Sequence, residues 1–285
     1  MEPGCITIVQ VIYKNIFWVT WNIKITQTLN PSSRITHLLI DNDRYVLHLR
    51  NKFYLRYFKH FKGIEFLRIV RNNKENLQLK GSHQHASGLD VAGRLVDTKF
   101  VVIQDPDCIV LKKRWIEFLD KLLDSKDLDL IGTPEAESEL NLSKKDHNRY
   151  KFISPLPFLI YGKSEVIFAN SFEPNFNSGN LLDTGFKLSF SCINGDYSYE
   201  LLHAFSTRSI KSNIDFINKY SCTFYTFNGS RDRTYCVHFG RGSNRFGKNR
   251  DGLKMLTKFI RAYLDPVIFR LRVNKYILTS TKRIL

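Results

Sequence analysis

What the chain lacks narrows its identity first. Its five cysteines, Cys5, Cys108, Cys192, Cys222 and Cys236, are odd in number and form no CxxC pair. Neither a disulfide framework nor a structural zinc site is indicated, and reduced thiols in a cytoplasm fit better. No long hydrophobic run is present near the start, where the apolar stretch from Ile6 is broken by Gln10 and Lys14. It is too short to span a bilayer, and the opening Met-Glu-Pro-Gly carries no basic leader. Neither GxGxxG nor GxxxxGK[ST] follows any predicted strand, which disfavours a dinucleotide-binding dehydrogenase and a P-loop ATPase.

Acidic residues are also in short supply, with 27 Asp and Glu against 43 Lys and Arg and a formal net charge of +16. A surplus of that size attracts polyanions of any kind: nucleic acid, anionic headgroups or a diphosphate-bearing ligand. The chain has no zinc-finger spacing, no aromatic cluster of an RNA-recognition strand and no compact basic tail, so nucleic acid is not an expected partner. A basic solvated surface is the simpler reading of the charge.

With 43% hydrophobic residues and abundant Phe and Tyr, the 285-residue chain has globular composition and can bury a sizeable core. Short β-branched runs alternate with longer mixed stretches, the pattern of βα units building a mostly parallel sheet. Strands are predicted at Ile6 to Tyr13, Thr36 to Ile40, Glu65 to Val70, Phe100 to Ile103 and Leu128 to Ile131. Helices are predicted at Tyr45 to His60, Gln84 to Val96 and Trp115 to Leu123. After about residue 150 the alternation weakens and the chain reads as loop-rich, up to a basic, Gly-containing stretch at Asn228 to Arg250. The spacing of Leu253, Leu256, Phe259, Ile260, Tyr263 and Leu264 then predicts a helix, which Pro266 ends or kinks.

In open sheets of this class, ligands bind beyond the carboxyl ends of the strands. The residues there are acidic: Ile40 runs into Asp41-Asn42-Asp43, and Ile103 runs through Gln104 into Asp105-Pro106-Asp107. Two carboxylates around a proline, just after a buried strand, can hold a hard divalent cation such as Mg²⁺ or Mn²⁺. Asp and Pro also form turns for purely conformational reasons.

The stretch from His85 to Asp90, then Thr98 to Cys108 with its DPD turn, then Trp115, resembles the glycosyltransferases of the GT-A fold, most closely those of family 2. Gly132-Thr133-Pro134 falls where that family ends its next strand. The resemblance implies an α/β, Rossmann-like, mostly parallel central sheet with flanking helices over residues 1–250. Residues 251–285 would then form a basic, amphipathic helical appendage. It also implies donor contacts. Tyr13 and Asp41 correspond to residues packing on or contacting the nucleotide, although Asp41 also suits an Asx turn. His85 and Asp90 lie near the ribose or diphosphate. Asp105 and Asp107 ligate the metal, Asp105 also facing the donor. Val237 to Ser243 resembles the C-terminal loop in which a His, here His238, completes the metal site and Arg241 meets the diphosphate. Leu182-Asp183-Thr184 resembles the segment carrying the general base, Asp183, with Leu182 departing from the family's acidic pair. Asp183 would equally serve as a helix N-cap.

The expected function is therefore metal-dependent, inverting transfer of a sugar from a nucleotide-diphosphate sugar to an acceptor hydroxyl of a glycan or lipid-linked molecule, with Mn²⁺ or Mg²⁺ as cofactor. Such a step belongs to polysaccharide or glycolipid synthesis. The alternatives are a sugar nucleotidyltransferase and a non-catalytic basic protein binding nucleic acid or membrane. The first lacks its Arg-containing glycine-rich loop here, because the first strand runs into Tyr13-Lys14-Asn15. The C-terminal stripe followed by Arg270, Arg272, Lys275, Lys282 and Arg283 suits peripheral contact at the inner face of a membrane. Packing on the catalytic domain would serve it as well.

Overall fold

The computed structural model describes residues 5–13, 16–43, 45–62, 64, 66–73, 81–134, 159–174, 184–206, 223–227 and 234–238. Its centre is a seven-stranded sheet. Strands β1 (Cys5–Ile12), β2 (Arg34–Asp41), β3 (Leu67–Arg71) and β4 (Phe100–Gln104) run parallel, with β1 between β2 and β4. Strand β7 (Leu159–Lys163) lies antiparallel between β4 and β6 (Leu130–Gly132), and β8 (Tyr199–Leu201) pairs parallel with β6 to complete the order β3-β2-β1-β4-β7-β6-β8. The α/β, mostly parallel sheet expected from the sequence is thus present.

Both faces of the sheet are covered, which is why its strands read as continuous apolar runs. Successive residues of β1 point to opposite faces. Ile6 and Ile8 join a core with Trp115, Leu119 and Leu123 of helix α4 (Trp115–Lys126), whereas Val9 and Val11 join Ala86, Leu89 and Ala92 of α3 (Ser82–Gly93). A third cluster packs Ile12 and Leu39 against α1 (Ile16–Leu29) and α2 (Tyr45–Lys62). Contact on the α3 side is tight: a Cβ on Gly88 would lie 2.9 Å from a methyl of Val11. Short helices α5 (Ser164–Ile167) and α6 (Phe186–Asn194) contribute Val166, Ile167, Leu188 and Cys192 to the same side.

Helix α1 falls in a stretch for which no helix is predicted from sequence. Its residues are largely β-branched, aromatic or polar and its first turn has no acidic residue, so local propensity is poor. Burial overrides it: Ile16, Val19 and Ile23, at spacings of three and four, face the third cluster. A second sheet was also not anticipated. It has the order β5-β11-β10-β9, from β5 (Cys108–Val110), β9 (His203–Ser206), β10 (Thr223–Thr226) and β11 (Thr234–His238), all pairs antiparallel. The predicted helix from Leu253 lies outside the described residues.

Candidate metal centre

Strand β4 ends in a tight turn. The Cys108 amide donates to the Asp105 carbonyl at 2.9 Å, with Pro106 and Asp107 at the two central positions. Proline's fixed φ suits the first of these positions, and the turn leads directly into β5. Because β11 pairs with β5 in the register His238↔Cys108, a residue distant in sequence is delivered beside the turn. The His238 Nε2 lies 3.3 Å from Asp107 Oδ1 and 3.7 Å from Asp105 Oδ2. One ligand atom from each of the three lies within 4.8 Å of the others. Asp107 and His238 are buried, and Asp105 is partly buried.

Burial and the neighbouring Asp107 charge push Asp105 up to about 7, despite the opposing His238. Burial works against charge on His238 as well, but Asp107 and Asp105 outweigh it and hold the imidazole up at about 10. Two carboxylates in a low-dielectric place need a positive charge between them, and the imidazolium supplies it here. Two carboxylates and one imidazole are also a donor set for a divalent cation, so the three residues fit one.

The turn is braced by α1, a contribution the sequence did not suggest. Asn22, Thr26 and Asn30 form a buried polar stripe at intervals of four residues. The Asn22 amide donates to the carbonyls of Pro106, at 3.2 Å, and Cys108, at 2.8 Å, and the Gln104 amide also reaches the Cys108 carbonyl at 2.8 Å. Thr26 donates to the Asn22 side chain. Asn30 accepts from the Ile116 amide in the first turn of α4, satisfying one of the orphan donors there. One helix thereby fixes both ends of the segment running from the turn through β5 to α4. A buried amide within an apolar helix is the only sign of this in the sequence.

Tyr13 and Asp41 lie at the carboxyl ends of β1 and β2, on the edge of the sheet where β4 ends in the DPD turn, since the three strands are parallel. Tyr13 follows β1 and is exposed. Asp41 ends β2 fully buried: its Oδ1 accepts from the Asp43 amide at 2.8 Å, and its Oδ2 lies 3.0 Å from His48 Nδ1 and accepts from Asn51 at 3.2 Å. Asn51 also donates to Asp43 at 2.9 Å. His85 lies in the first turn of α3, partly buried. That turn is tied to the strand ends by paired bonds: Asn42 to the Gln84 carbonyl at 2.8 Å and Gln84 to the Asn42 carbonyl at 3.1 Å. Asn72 adds bonds to Asn42 and Ser87, each 2.9 Å. Asp90, farther along α3, accepts from the Ser171 hydroxyl and the Phe172 amide, both at 2.9 Å, and so ties the helix to that segment. Asp183 and Arg241 lie outside the described residues. Sequence reasoning passed over His48, Asn51, Asn72 and Gln84, whose roles depend on elements far apart in the chain.

No protein-family model matches the chain, and no curated protein matches it either. Among solved structures, it is similar to a mannosyltransferase from Pyrobaculum calidifontis in complex with GDP-Man and Mn²⁺. The identity is 14%, the TM-score 0.49, and the match covers 69% of this chain and 54% of that one, so the chain spans about half that protein's length. It is also similar to glucosyl-3-phosphoglycerate synthase from Mycobacterium tuberculosis with Mn²⁺, UDP and glucosyl-3-phosphoglycerate (11% identity, TM-score 0.47, 70% and 69% covered). A third is S. aureus TarS 1-349 (11% identity, TM-score 0.46, 69% and 57% covered). Those ligands and activities are stated of those proteins; for this chain the residues of the site carry the reading.

Proposed function

We propose that the protein is a metal-dependent, inverting glycosyltransferase that moves a sugar from a nucleotide-diphosphate sugar to an acceptor hydroxyl. The observation that carries this reading is the Asp105, Asp107 and His238 cluster on a turn braced by Asn22 at the carboxyl edge of a parallel sheet. Bound there, Mn²⁺ or Mg²⁺ would neutralise charge developing on the departing diphosphate. Arg241, a few residues beyond His238, adds a guanidinium suited to the same oxygens. Tyr13, exposed just after β1, is assigned to the nucleotide side, and Asp41, fully buried with both carboxylate oxygens bonded within the protein, to holding the end of β2 beside it. His85, whose helix start is laced to the end of β2, is assigned to the ribose or diphosphate side.

Asp183 is assigned as general base. It takes the proton of the acceptor hydroxyl as that oxygen bonds to the anomeric carbon and the bond from that carbon to the diphosphate oxygen breaks, which inverts the configuration. The acceptor is a glycan or lipid-linked hydroxyl, and the catalytic unit is residues 1–250. The basic segment 251–285 is assigned to contact with the inner face of a membrane. Among the described residues, no helix is long and apolar enough to cross a membrane.

A screen of nucleotide sugars for binding and hydrolysis, with and without Mn²⁺, tests the class, the metal and the donor together. Metal-dependent binding of a nucleoside diphosphate sugar is expected, and metal-independent binding would remove the assignment. Asp183→Asn is expected to leave donor binding intact and lower transfer by roughly two orders of magnitude. Full transfer in that variant would remove Asp183 as the base; the N-cap role also open to it from sequence falls instead to Gly185, which caps α6 with no side-chain bond.

A further inference from the structure

Helix α2 is amphipathic in the reverse of the usual sense. Its buried side carries His48, Asn51 and Leu55, two of them polar and bonded to the carboxylates at the end of β2. Its outer side carries Tyr45, Leu49, Phe53 and Tyr57, which are 57%, 48%, 78% and 62% exposed. At 3.6 residues per turn, positions four apart drift slowly and stay on one side of the helix. A solvent-facing helix side ordinarily bears polar and charged residues, and Leu49 and Phe53 offer water no polar atom.

Cations run between these residues. Arg50, Lys52 and Arg56 are exposed, and none of the helix's 18 residues is acidic. Strand β3, the edge of the sheet beside α2, adds exposed Arg68, and Phe66 just before it is exposed as well.

We propose that this outer side of α2 is a docking surface for an anionic lipid bilayer. The proposal stands apart from the glycosyl-transfer reading and concerns a different part of the chain from its C-terminal segment. Charge decides the occupant. A second copy docking through the same side would set Arg50, Lys52 and Arg56 against their own counterparts, with no acid in the helix to pair them. Nucleic acid would take the cations and could stack on Tyr45, Phe53 and Tyr57, which makes retention of RNA a competing outcome of the test, but it leaves the aliphatic Leu49 side chain in water. An anionic bilayer satisfies both features: headgroups take the guanidinium and ammonium groups, the upper acyl region takes Phe53 and Leu49, and Tyr45 and Tyr57 suit the boundary between them.

Flotation of the full chain with phosphatidylcholine vesicles, with or without about a quarter of phosphatidylglycerol, is the test. The wild-type chain should float with the anionic vesicles and not with the neutral ones. Phe53→Ser/Tyr57→Ser and Lys52→Glu/Arg56→Glu should each lower the bound fraction by about tenfold or more, with melting temperatures near wild type. Should either pair fail to fold, Phe53→Trp gives a second reading. Its added emission should shift to the blue and be quenched by brominated lipid in anionic vesicles. Because segment 251–285 is itself assigned to a membrane, the local probe decides: a Phe53→Trp emission unchanged by anionic vesicles overturns the proposal, even where the chain floats. So does a change confined to oligomeric state or to retention of RNA, which would assign the surface to a second copy or to nucleic acid.

Discussion

Among the described residues, two Asp-x-Asp segments stand at the carboxyl end of a parallel strand and meet a histidine, and they are built to different ends. At Asp41-Asn42-Asp43 the two carboxylates are bridged by the Asn51 amide, which donates to both, while His48 and the Asp43 amide occupy the rest of Asp41. The negative charge there is dispersed into the protein's own donors. At Asp105-Pro106-Asp107 proline stands where an amide-bearing residue stands in the first turn, and the charge between the carboxylates is met by His238. A buried carboxylate pair bridged by a side-chain amide organises a strand end. A buried pair served by one titratable cation is a place where another cation can substitute.

Removing Asp107 should break the second turn most completely. Asp107→Ala is expected to weaken Mn²⁺ binding, and with it the binding of a nucleoside diphosphate, by about a hundredfold or more, since one of three ligands is lost. Calorimetric titration with and without chelator measures this. Binding of wild-type strength would mean that the cluster is only an ion pair.

Asp41→Asn attacks the first turn, with a different signature. The substituted amide would present N–H groups to donors that now meet a carboxylate, so unfolding free energy should fall by about 2–3 kcal/mol. Asp105→Asn should change apo stability by less than about 1 kcal/mol, because it relieves repulsion from Asp107 while it weakens the attraction to His238. Denaturant melts without metal compare the two directly. Equal losses would erase the distinction between the turns.

Acidity should act on the second turn. Without metal, Asp105 is held up at about 7 and His238 at about 10, so His238 keeps its proton through neutral pH. A cation binding there displaces that proton, and affinity must rise with pH. The expected slope is about tenfold per pH unit between pH 7 and 9, and steeper below pH 7, where Asp105 also holds a proton. Titration of Mn²⁺ in a buffer series reads the slope, and a flat profile from pH 6 to 8.5 would show that His238 is not displaced as an imidazolium.

The parts of this contrast differ in how visible they were before the structure. Strands β1 to β4 and β6 were legible as short buried apolar runs, α4 by apolar spacing along one face and α2 and α3 as the mixed stretches between strands, and both Asp-x-Asp turns stood out by following such strands. Helix α1 was not, because β-branched and aromatic residues hold no helical preference until tertiary packing supplies it. Strand β7 and the second sheet were not either, since short antiparallel strands gain their meaning from partners far along the chain. His238 was reached through resemblance to a family loop, and its pairing with the turn rests on the β5 to β11 register. Nothing local in the sequence distinguishes the Asn51 bridge at one turn from the proline at the other as opposite electrostatic solutions.

The smallest effect should come from the brace beneath the second turn. Asn22 touches no candidate ligand, yet its amide holds the carbonyls on both sides of Asp107. Asn22→Leu keeps the helix and much of the volume but leaves the Pro106 carbonyl without that donor; the Cys108 carbonyl retains Gln104. Losing the bonds to the Pro106 and Cys108 carbonyls and the one from the Thr26 hydroxyl costs about 1–3 kcal/mol of stability. Loosening the turn should also weaken Mn²⁺ affinity by about threefold to tenfold, a loss of preorganisation with the ligands themselves unchanged. A purely structural role would lower the melting temperature and leave the affinity per folded molecule unaltered. Measuring both on one preparation, with Thr28→Ala as an exposed control on the same helix, separates the two. Unchanged metal affinity in Asn22→Leu would confine α1 to holding the fold and leave the geometry of the turn to proline and β11.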